Sequence, residues 1–289
     1  MHYITAKTIL SAKNGMNIYR GCTHGCIYCD SRSKVYNMKH PFEDVAVKKN
    51  SHELLRKALH NKKERCMIGL GSMSDPYIPL EKNIEYTRKT LELIYRYGHG
   101  FTCITKSDLI LRDIELLKKI NKNTKAVVQV TLTCTDDRIS KIIEPNVSTT
   151  NERIKVLQKL DQENIPTIVW LTPVLPYITD TEENITSILD ACISNNVKGV
   201  ICFGMGLTLR EGNREYYYEN LEKHFPGLKK VYQEKYGENY SLQSPYNKKL
   251  MKIFNEKTQK AGIMNNPEEI FKYLNTLPRK IKTRQSTLF

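Results

Sequence analysis

The sequence predicts an α/β fold of six repeated βα units around a parallel sheet, followed after about residue 210 by a helical extension. Three observations support this. Short apolar runs rich in β-branched residues recur up to about residue 205, and amphipathic stretches with apolar residues three or four apart separate them. The strict alternation of the two is the pattern of strands joined by covering helices. The 289 residues fit one large domain with an extension, since α/β barrels commonly exceed about 200 residues as single units.

Taken in order, a first strand is expected around residues 16–19, and a cysteine-bearing loop follows it. The next five strands are expected at 65–71, 101–105, 126–134, 167–172 and 199–204, rich in β-branched and apolar residues. The intervening helices are expected at 51–60, 84–97, 112–120, 151–164 and 182–195, with Asn151 and Thr181 as N-caps of the last two. Residues 1–210 then form the core, 211–282 a helical extension packed against it, and 283–289 a flexible tail. In the extension, residues 214–223 and 246–254 read as aromatic- and lysine-rich helices. Tyr216, Tyr217 and Tyr218 are expected to pack at an interface rather than to stack bases.

Lys and Arg exceed Asp and Glu by 45 to 31, a formal charge of +14, which favours polyanionic partners or a lysine-rich, solubilising surface. The N-terminal residues lack the apolar stretch of a signal peptide, and no run of about 18 apolar residues occurs, so a soluble cytoplasmic protein is expected. Cys66, Cys103, Cys134, Cys192 and Cys202 lie singly among apolar residues and read mostly as inert core thiols.

Cys22, Cys26 and Cys29 are different. Their Cys-x-x-x-Cys-x-x-Cys spacing turns three thiolates toward one small inorganic centre, and cysteine runs of this kind hold iron–sulfur clusters. Three thiolates on a [4Fe–4S] cube leave one iron open to a ligand. The competing reading is zinc with His24 or a remote cysteine as fourth ligand, although no second Cys-x-x-Cys knuckle accompanies the first. With Tyr28 just before the third cysteine, the motif resembles that of the radical S-adenosylmethionine enzymes. That resemblance implies a partial (β/α)6 TIM-like barrel, a [4Fe–4S] cluster on Cys22, Cys26 and Cys29, and S-adenosyl-L-methionine as cofactor. It also implies an electron donor such as a flavodoxin or ferredoxin. In βα barrels chemistry sits at the C-terminal ends of the strands, where the cysteine loop falls.

Further strand ends carry polar residues: 69–77 with its Ser-Asp step, Thr105-Lys-Ser107, Thr131 to Thr133, Glu144-Pro145, and 171–180. Over roughly residues 14–205 these steps resemble the spore photoproduct lyase branch. The resemblance implies Tyr28 near the adenine, with Ser72, Ser74, Lys106 and Thr131 around the methionine and ribose. Two departures stand out. Ser72 replaces the branch's hydrogen-donor cysteine, and Asp30 replaces its second tyrosine after the third cluster cysteine. Among the remaining thiols Cys134, at the end of the fourth expected strand, is the better placed substitute donor. The leading function is therefore radical chemistry on DNA, as lesion repair or base modification. The alternatives are radical modification of RNA, a peptide or a small molecule, and a non-catalytic basic metal-binding protein recruited to replication sites.

The chain ends Gln285-Ser-Thr-Leu-Phe289, which resembles the short peptides that dock on the bacterial sliding clamp through two apolar anchors and a register-fixing glutamine. Gln285, Leu288 and Phe289 are the residues such docking would use, with basic residues Arg279, Lys280, Lys282 and Arg284 just before them.

Overall fold

A computed structural model of the protein describes residues 1–278. Its central sheet has six strands, all parallel and neighbours in chain order: β1 (Gly15–Met16), β2 (Met67–Leu70), β3 (Gly100–Thr105), β4 (Ala126–Thr131), β5 (Thr167–Trp170) and β6 (Gly199–Ile201). Register is continuous, with Cys103 opposite Val128 and Val130 opposite Val169. Among the described residues no ladder joins β1 to β6, so the sheet is a partial barrel. The covering helices are α1 (Ser51–His60), α2 (Tyr86–Arg96), α3 (Ile114–Asn123), α4 (Thr150–Gln162) and α5 (Glu182–Ser194).

Each strand is buried on both faces, as a parallel sheet between two layers requires. On β4, Ala126, Val128 and Val130 join the core cluster that includes Leu117 and Ile120 of α3, while Val127 turns to the other face. Gln129 and Thr131 share that second face, the barrel interior, by the two-residue alternation of a strand. The first expected strand is broken. β1 stays in the sheet, whereas Tyr19–Arg20 leaves it to pair antiparallel with Ala46–Lys48, which also pairs with His2–Ile4. Helix α1 falls where its periodicity placed it. Helix α4 starts earlier than expected. Thr149, not Asn151, is its N-cap, and a reciprocal pair forms in which Glu152 accepts from the Thr149 amide at 2.7 Å.

After β6 the chain forms a two-stranded antiparallel ladder, Gly206–Thr208 with Ser241–Gln243, which the helical expectation for this region missed. Between and after these strands lie α6 (Asn213–His224), α7 (Leu228–Tyr236), α8 (Asn247–Lys260) and α9 (Pro267–Asn275). Tyr217 and Tyr218 are buried, and the Tyr217 hydroxyl donates to the Tyr232 hydroxyl at 3.0 Å, so the tyrosine run is packing. The extension does more than lean on the barrel. Met264 pairs with the free edge of β6, its carbonyl accepting from Val200 at 2.8 Å, which closes an otherwise exposed strand edge. Helix α9 then places Ile270 and Leu274 among Met67, Val127, Ile168 and Ile201, filling the barrel interior below the cysteine loop. No described helix is long and apolar enough to cross a membrane.

Candidate active site

The cysteine loop owes its shape to Gly21. Its φ of +89° lies in the left-handed region, and a Cβ there would stand 2.4 Å from the Phe42 carbonyl oxygen, so only glycine lets the chain pass. That same carbonyl accepts from the Cys22 amide at 3.0 Å. On the other side Ile27 donates to the Ile143 carbonyl at 3.0 Å, and Asn146 holds His24 and Thr23 through their carbonyls at 3.1 and 3.0 Å. The loop is thus pinned from two directions before any ligand is considered.

A cavity of about 610 Å³ opens above the strand ends. Cys22, Cys26 and Cys29 line one wall, together with Tyr28, Ser72, Ser74, Lys106 and Thr131. All the cofactor and metal residues expected from the sequence therefore meet in one space. Burial pushes the Cys22 thiol up to about 12, with Asp75 adding to the rise, and pushes Cys26 well above the usual thiol range. Buried neutral thiols of this kind become ligands only when a metal centre takes their protons. Tetrahedral zinc at about 2.3 Å from sulfur would need all three sulfurs within roughly 4 Å of one another. They do not all fall within 4.8 Å, the separation met among the described residues only by His2, His40 and Asp44. At that spacing the three sulfurs of the cluster-free chain are not drawn into a tetrahedral zinc site, and a larger inorganic centre does not require them to be.

Two polar groups in the cavity want partners. The Thr131 hydroxyl is buried with no hydrogen bond. Lys106 makes no ion pair among the described residues, and its ammonium lies 5.8 Å from the Tyr28 ring centre. Burial alone would lower the Lys106 pKa, but Cys26 in its thiolate form, followed by Glu144, Cys29 and Asp75, more than offsets that and raises it. An unpaired cation beside an unpaired hydroxyl fits a ligand that carries a carboxylate and further polar groups. Ser74 is engaged elsewhere. Its hydroxyl donates to the Gly21 carbonyl at 2.6 Å and so braces the cysteine loop, while the Ser72 hydroxyl accepts from the Asn17 amide at 3.2 Å.

Two carboxylates without an expected role, Asp75 and Glu144, organise this wall. Asp75 accepts from the Tyr77 amide and Thr105 hydroxyl at 2.8 and 2.7 Å on one oxygen and from the Lys106 amide at 2.8 Å on the other. His24 Nε2 lies 3.1 Å from that second oxygen, within ion-pair distance but poorly aligned for a hydrogen bond. Burial would raise the Asp75 carboxyl; His24 and the two amides outweigh it and hold the carboxyl below its ordinary value. Glu144, fully buried, accepts from the Tyr28 hydroxyl and from Arg153, whose other nitrogen donates to the Thr131 carbonyl at 2.8 Å. The sequence signal for Asp75 was its place in the Ser-Asp step; Arg153 looked like an ordinary helix residue and carried none.

Cys134 does not share the cavity. Its thiol is 2 % exposed, packs with Ile143 and Leu175, and donates to the Asp136 carbonyl at 3.4 Å; burial pushes its pKa up to about 11. The residue expected as the substitute hydrogen donor therefore stands among buried apolar side chains, three positions past the end of β4 and outside the cavity lining. Asp30, next to Cys29 in the cavity lining, accepts from the Tyr36 hydroxyl at 2.7 Å and faces Arg210 at 3.3 Å. Arg210 in turn donates to the Tyr240 hydroxyl at 2.8 Å, and Tyr240 lines the cavity. Gln285, Leu288 and Phe289 lie outside the described residues.

The family profile described as the Radical SAM superfamily matches residues 16–189, which spans β1 to α5 and the whole cysteine wall. The chain belongs to the radical SAM superfamily. Its cofactors are accordingly a [4Fe–4S] cluster and S-adenosylmethionine. An uncharacterized protein of Methanocaldococcus jannaschii is 33% identical over 181 residues, covering 62% of this chain and 67% of the relative. A protein of Pseudomonas phage M6 named radical SAM Nalpha-GlyT isomerase is 24% identical over 177 residues, covering 61% of this chain and 36% of its own. Among solved structures, a spore photoproduct lyase variant with bound AdoMet and dinucleoside spore photoproduct superposes with a TM-score of 0.65 at 12% identity, over 91% of this chain and 80% of that one. At that identity the likeness speaks for the fold.

Proposed function

We propose that this radical SAM enzyme acts on DNA, in lesion repair or base modification. The observation that carries the reading is the charge: the chain has an excess of 14 positive charges, while the cavity lining sets one lysine, Lys106, against Asp30 and Asp75, so the excess lies outside the cavity, where a polyanionic partner can meet it. In such a reaction the bound cluster and S-adenosylmethionine supply a 5′-deoxyadenosyl radical. The protein's own part is to orient and exclude. Cys22, Cys26 and Cys29 hold the cluster; Lys106 takes the cofactor's carboxylate; Thr131 and Ser72 contact its polar groups, and Tyr28, fixed by Glu144, packs against it. A flavodoxin- or ferredoxin-type protein is the electron donor this chemistry needs.

The test uses protein reconstituted anaerobically with iron and sulfide and reduced with dithionite. Deuterium passing from labelled DNA into 5′-deoxyadenosine supports the reading. Release of 5′-deoxyadenosine that DNA neither stimulates nor labels refutes it and favours RNA, a peptide or a small molecule. Cys26→Ala is the control without a cluster. The same reading includes docking of Gln285, Leu288 and Phe289 on the sliding clamp. Equal clamp recovery by wild type and a Leu288→Ala/Phe289→Ala variant would exclude it.

A further inference from the structure

Phe203 is out of place for a folding residue. It stands two positions past the end of β6, lines the cavity, and is 61 % exposed. Its ring is nevertheless firmly backed. Phe271 of α9 stacks on it at 6.4 Å with 20° between the planes, and Trp170 meets it edge-on at 6.1 Å. Trp170 is itself fixed, since its indole donates to Gln129 at 2.8 Å and Gln129 donates to the Thr102 hydroxyl at 2.8 Å across the barrel interior. An exposed aromatic ring backed by Phe271 and by a Trp170 that is itself hydrogen-bonded to Gln129 is a surface on which another flat ring can lie.

The neighbouring rim continues the pattern. Tyr240, 50 % exposed, lines the same cavity and carries the Arg210 guanidinium over its ring at 4.9 Å. Tyr246, 54 % exposed, is joined to the Phe203 loop through its neighbours, because Ser244 donates to the Met205 carbonyl at 2.7 Å and Asn247 accepts from the Met205 amide at 2.8 Å. Lys248 follows on the exposed side of α8. Exposed rings alternating with cations form the kind of surface on which single-stranded nucleic acid lies, the rings taking bases and the cations phosphates.

The geometry points to Phe203 as a stacking platform for an unpaired nucleobase presented to the cavity, with Tyr240, Arg210, Tyr246 and Lys248 guiding the strand on either side. This rests on the nucleic-acid reading above and names the form of substrate: a base taken out of its helix, or one already in single-stranded DNA. The S-adenosylmethionine adenine is a second source of a flat ring. The outward exposure of Phe203 favours the substrate, because the cofactor's expected partners Tyr28, Lys106 and Thr131 lie deeper, on the cysteine wall.

The experiment compares wild type, Phe203→Leu and Phe203→Trp as cluster-loaded protein under anaerobic conditions. Binding of a short single-stranded oligonucleotide carrying one 2-aminopurine is followed by anisotropy and by the fluorescence loss that stacking causes. Leucine keeps the apolar bulk and loses the flat ring, so it should weaken binding roughly 5- to 100-fold and abolish the fluorescence loss. Tryptophan should keep both, which also shows that the loop tolerates substitution. Equal binding and equal quenching by the leucine variant would overturn the inference while leaving DNA as the substrate. Weakened S-adenosylmethionine binding with unchanged oligonucleotide binding would overturn it too, by assigning the ring to the cofactor. If the wild type binds no oligonucleotide or duplex at all, the nucleic-acid reading itself falls.

Discussion

Arg153 is the largest side chain fully buried in the described protein, and replacing it with methionine isolates what its charge does. Methionine conserves much of the volume, so the change is electrostatic more than steric. It leaves the Glu144 carboxylate, itself 1 % exposed, with only the Tyr28 hydroxyl and a long contact to Thr133 at 3.4 Å, and leaves the Thr131 carbonyl without its charged donor. Breaking one half of a buried ion pair typically costs about 3–5 kcal/mol. Lys106 also faces Glu144 electrostatically and remains in the variant, which places the expectation near the lower end, about 3 kcal/mol.

The pH dependence gives the argument its sharper test. In the wild type, burial would raise the Glu144 carboxyl, but Arg153 and then Lys106 outweigh it and hold the pKa below the ordinary value. A depressed carboxyl contributes stability that is full above the unfolded value of about 4.3 and is lost only as pH falls through the lower folded value. Without Arg153 the burial effect gains the upper hand and the carboxyl rises, so the variant sheds its penalty as acid protonates Glu144. The gap between the two proteins should be largest near pH 8 and narrow toward pH 5. Urea unfolding of the cluster-free chains, under reducing conditions at both pH values, measures it. A gap under about 1 kcal/mol at pH 8, or one that does not narrow in acid, would refute the reasoning. Adding Glu144→Leu to Arg153→Met should recover most of the loss, because no buried charge is then left alone.

Three further outcomes are expected. Lys106→Met should weaken S-adenosylmethionine binding to the cluster-loaded protein by roughly 10- to 100-fold, the scale of one charged hydrogen bond, with iron content unchanged in elemental analysis. Asp75→Asn keeps the size but loses the charge facing His24 and offers an amide where two backbone N–H groups and the Thr105 hydroxyl seek acceptors; it should cost about 1–3 kcal/mol and lower iron retention after gel filtration. Cys134→Ala should lower thermal stability by a small-cavity amount, about 1 kcal/mol, and leave substrate-dependent 5′-deoxyadenosine formation intact, whereas a hydrogen-donor role would make product release collapse.

The barrel was legible because its signals are local. Apolar runs and helical periods at fixed spacing located five of the six sheet strands and the five covering helices to within a few residues, and the cysteine spacing located the site, whereas the helix Asp137–Ile143 and the outer strands His2–Ile4 and Ala46–Lys48 carried no such signal. What failed was long-range. Nothing in the spacing of Ile270 and Leu274 says that α9 enters the barrel rather than lying outside it, because an amphipathic helix reads the same against any apolar surface. Tyr19–Arg20 left the expected first strand for a partner some 27 positions later, a choice made by register with Ala46–Lys48 rather than by propensity. Cys134 illustrates a related point: a strand end fixes a residue's neighbourhood, but the turn after it decides which way the side chain points, here into apolar packing outside the cavity lining. Arg153 was invisible because a buried arginine and a surface arginine are spelled alike.

The charges of the cysteine wall depend on what occupies it. The rise in the Lys106 pKa draws on Cys26 as an anion, yet burial keeps the Cys26 thiol protonated far above neutral pH in the cluster-free chain. Both cannot hold at pH 7 without a metal. In the cluster-free protein the negative groups that support the ammonium are therefore Glu144 and Asp75, which accept other hydrogen bonds and keep it near without pairing it. Ligation requires thiolates, so loading the cysteines moves negative charge into the cavity next to Lys106 and strengthens its hold on the proton. A lysine fixed as a cation by carboxylates behind it and thiolates beside it remains able to take a carboxylate in front. That explains why the two buried carboxylates stand one layer back, bonded to backbone amides, to Arg153 and to Tyr28, instead of forming the ion pair with Lys106 that simple proximity of charge would favour.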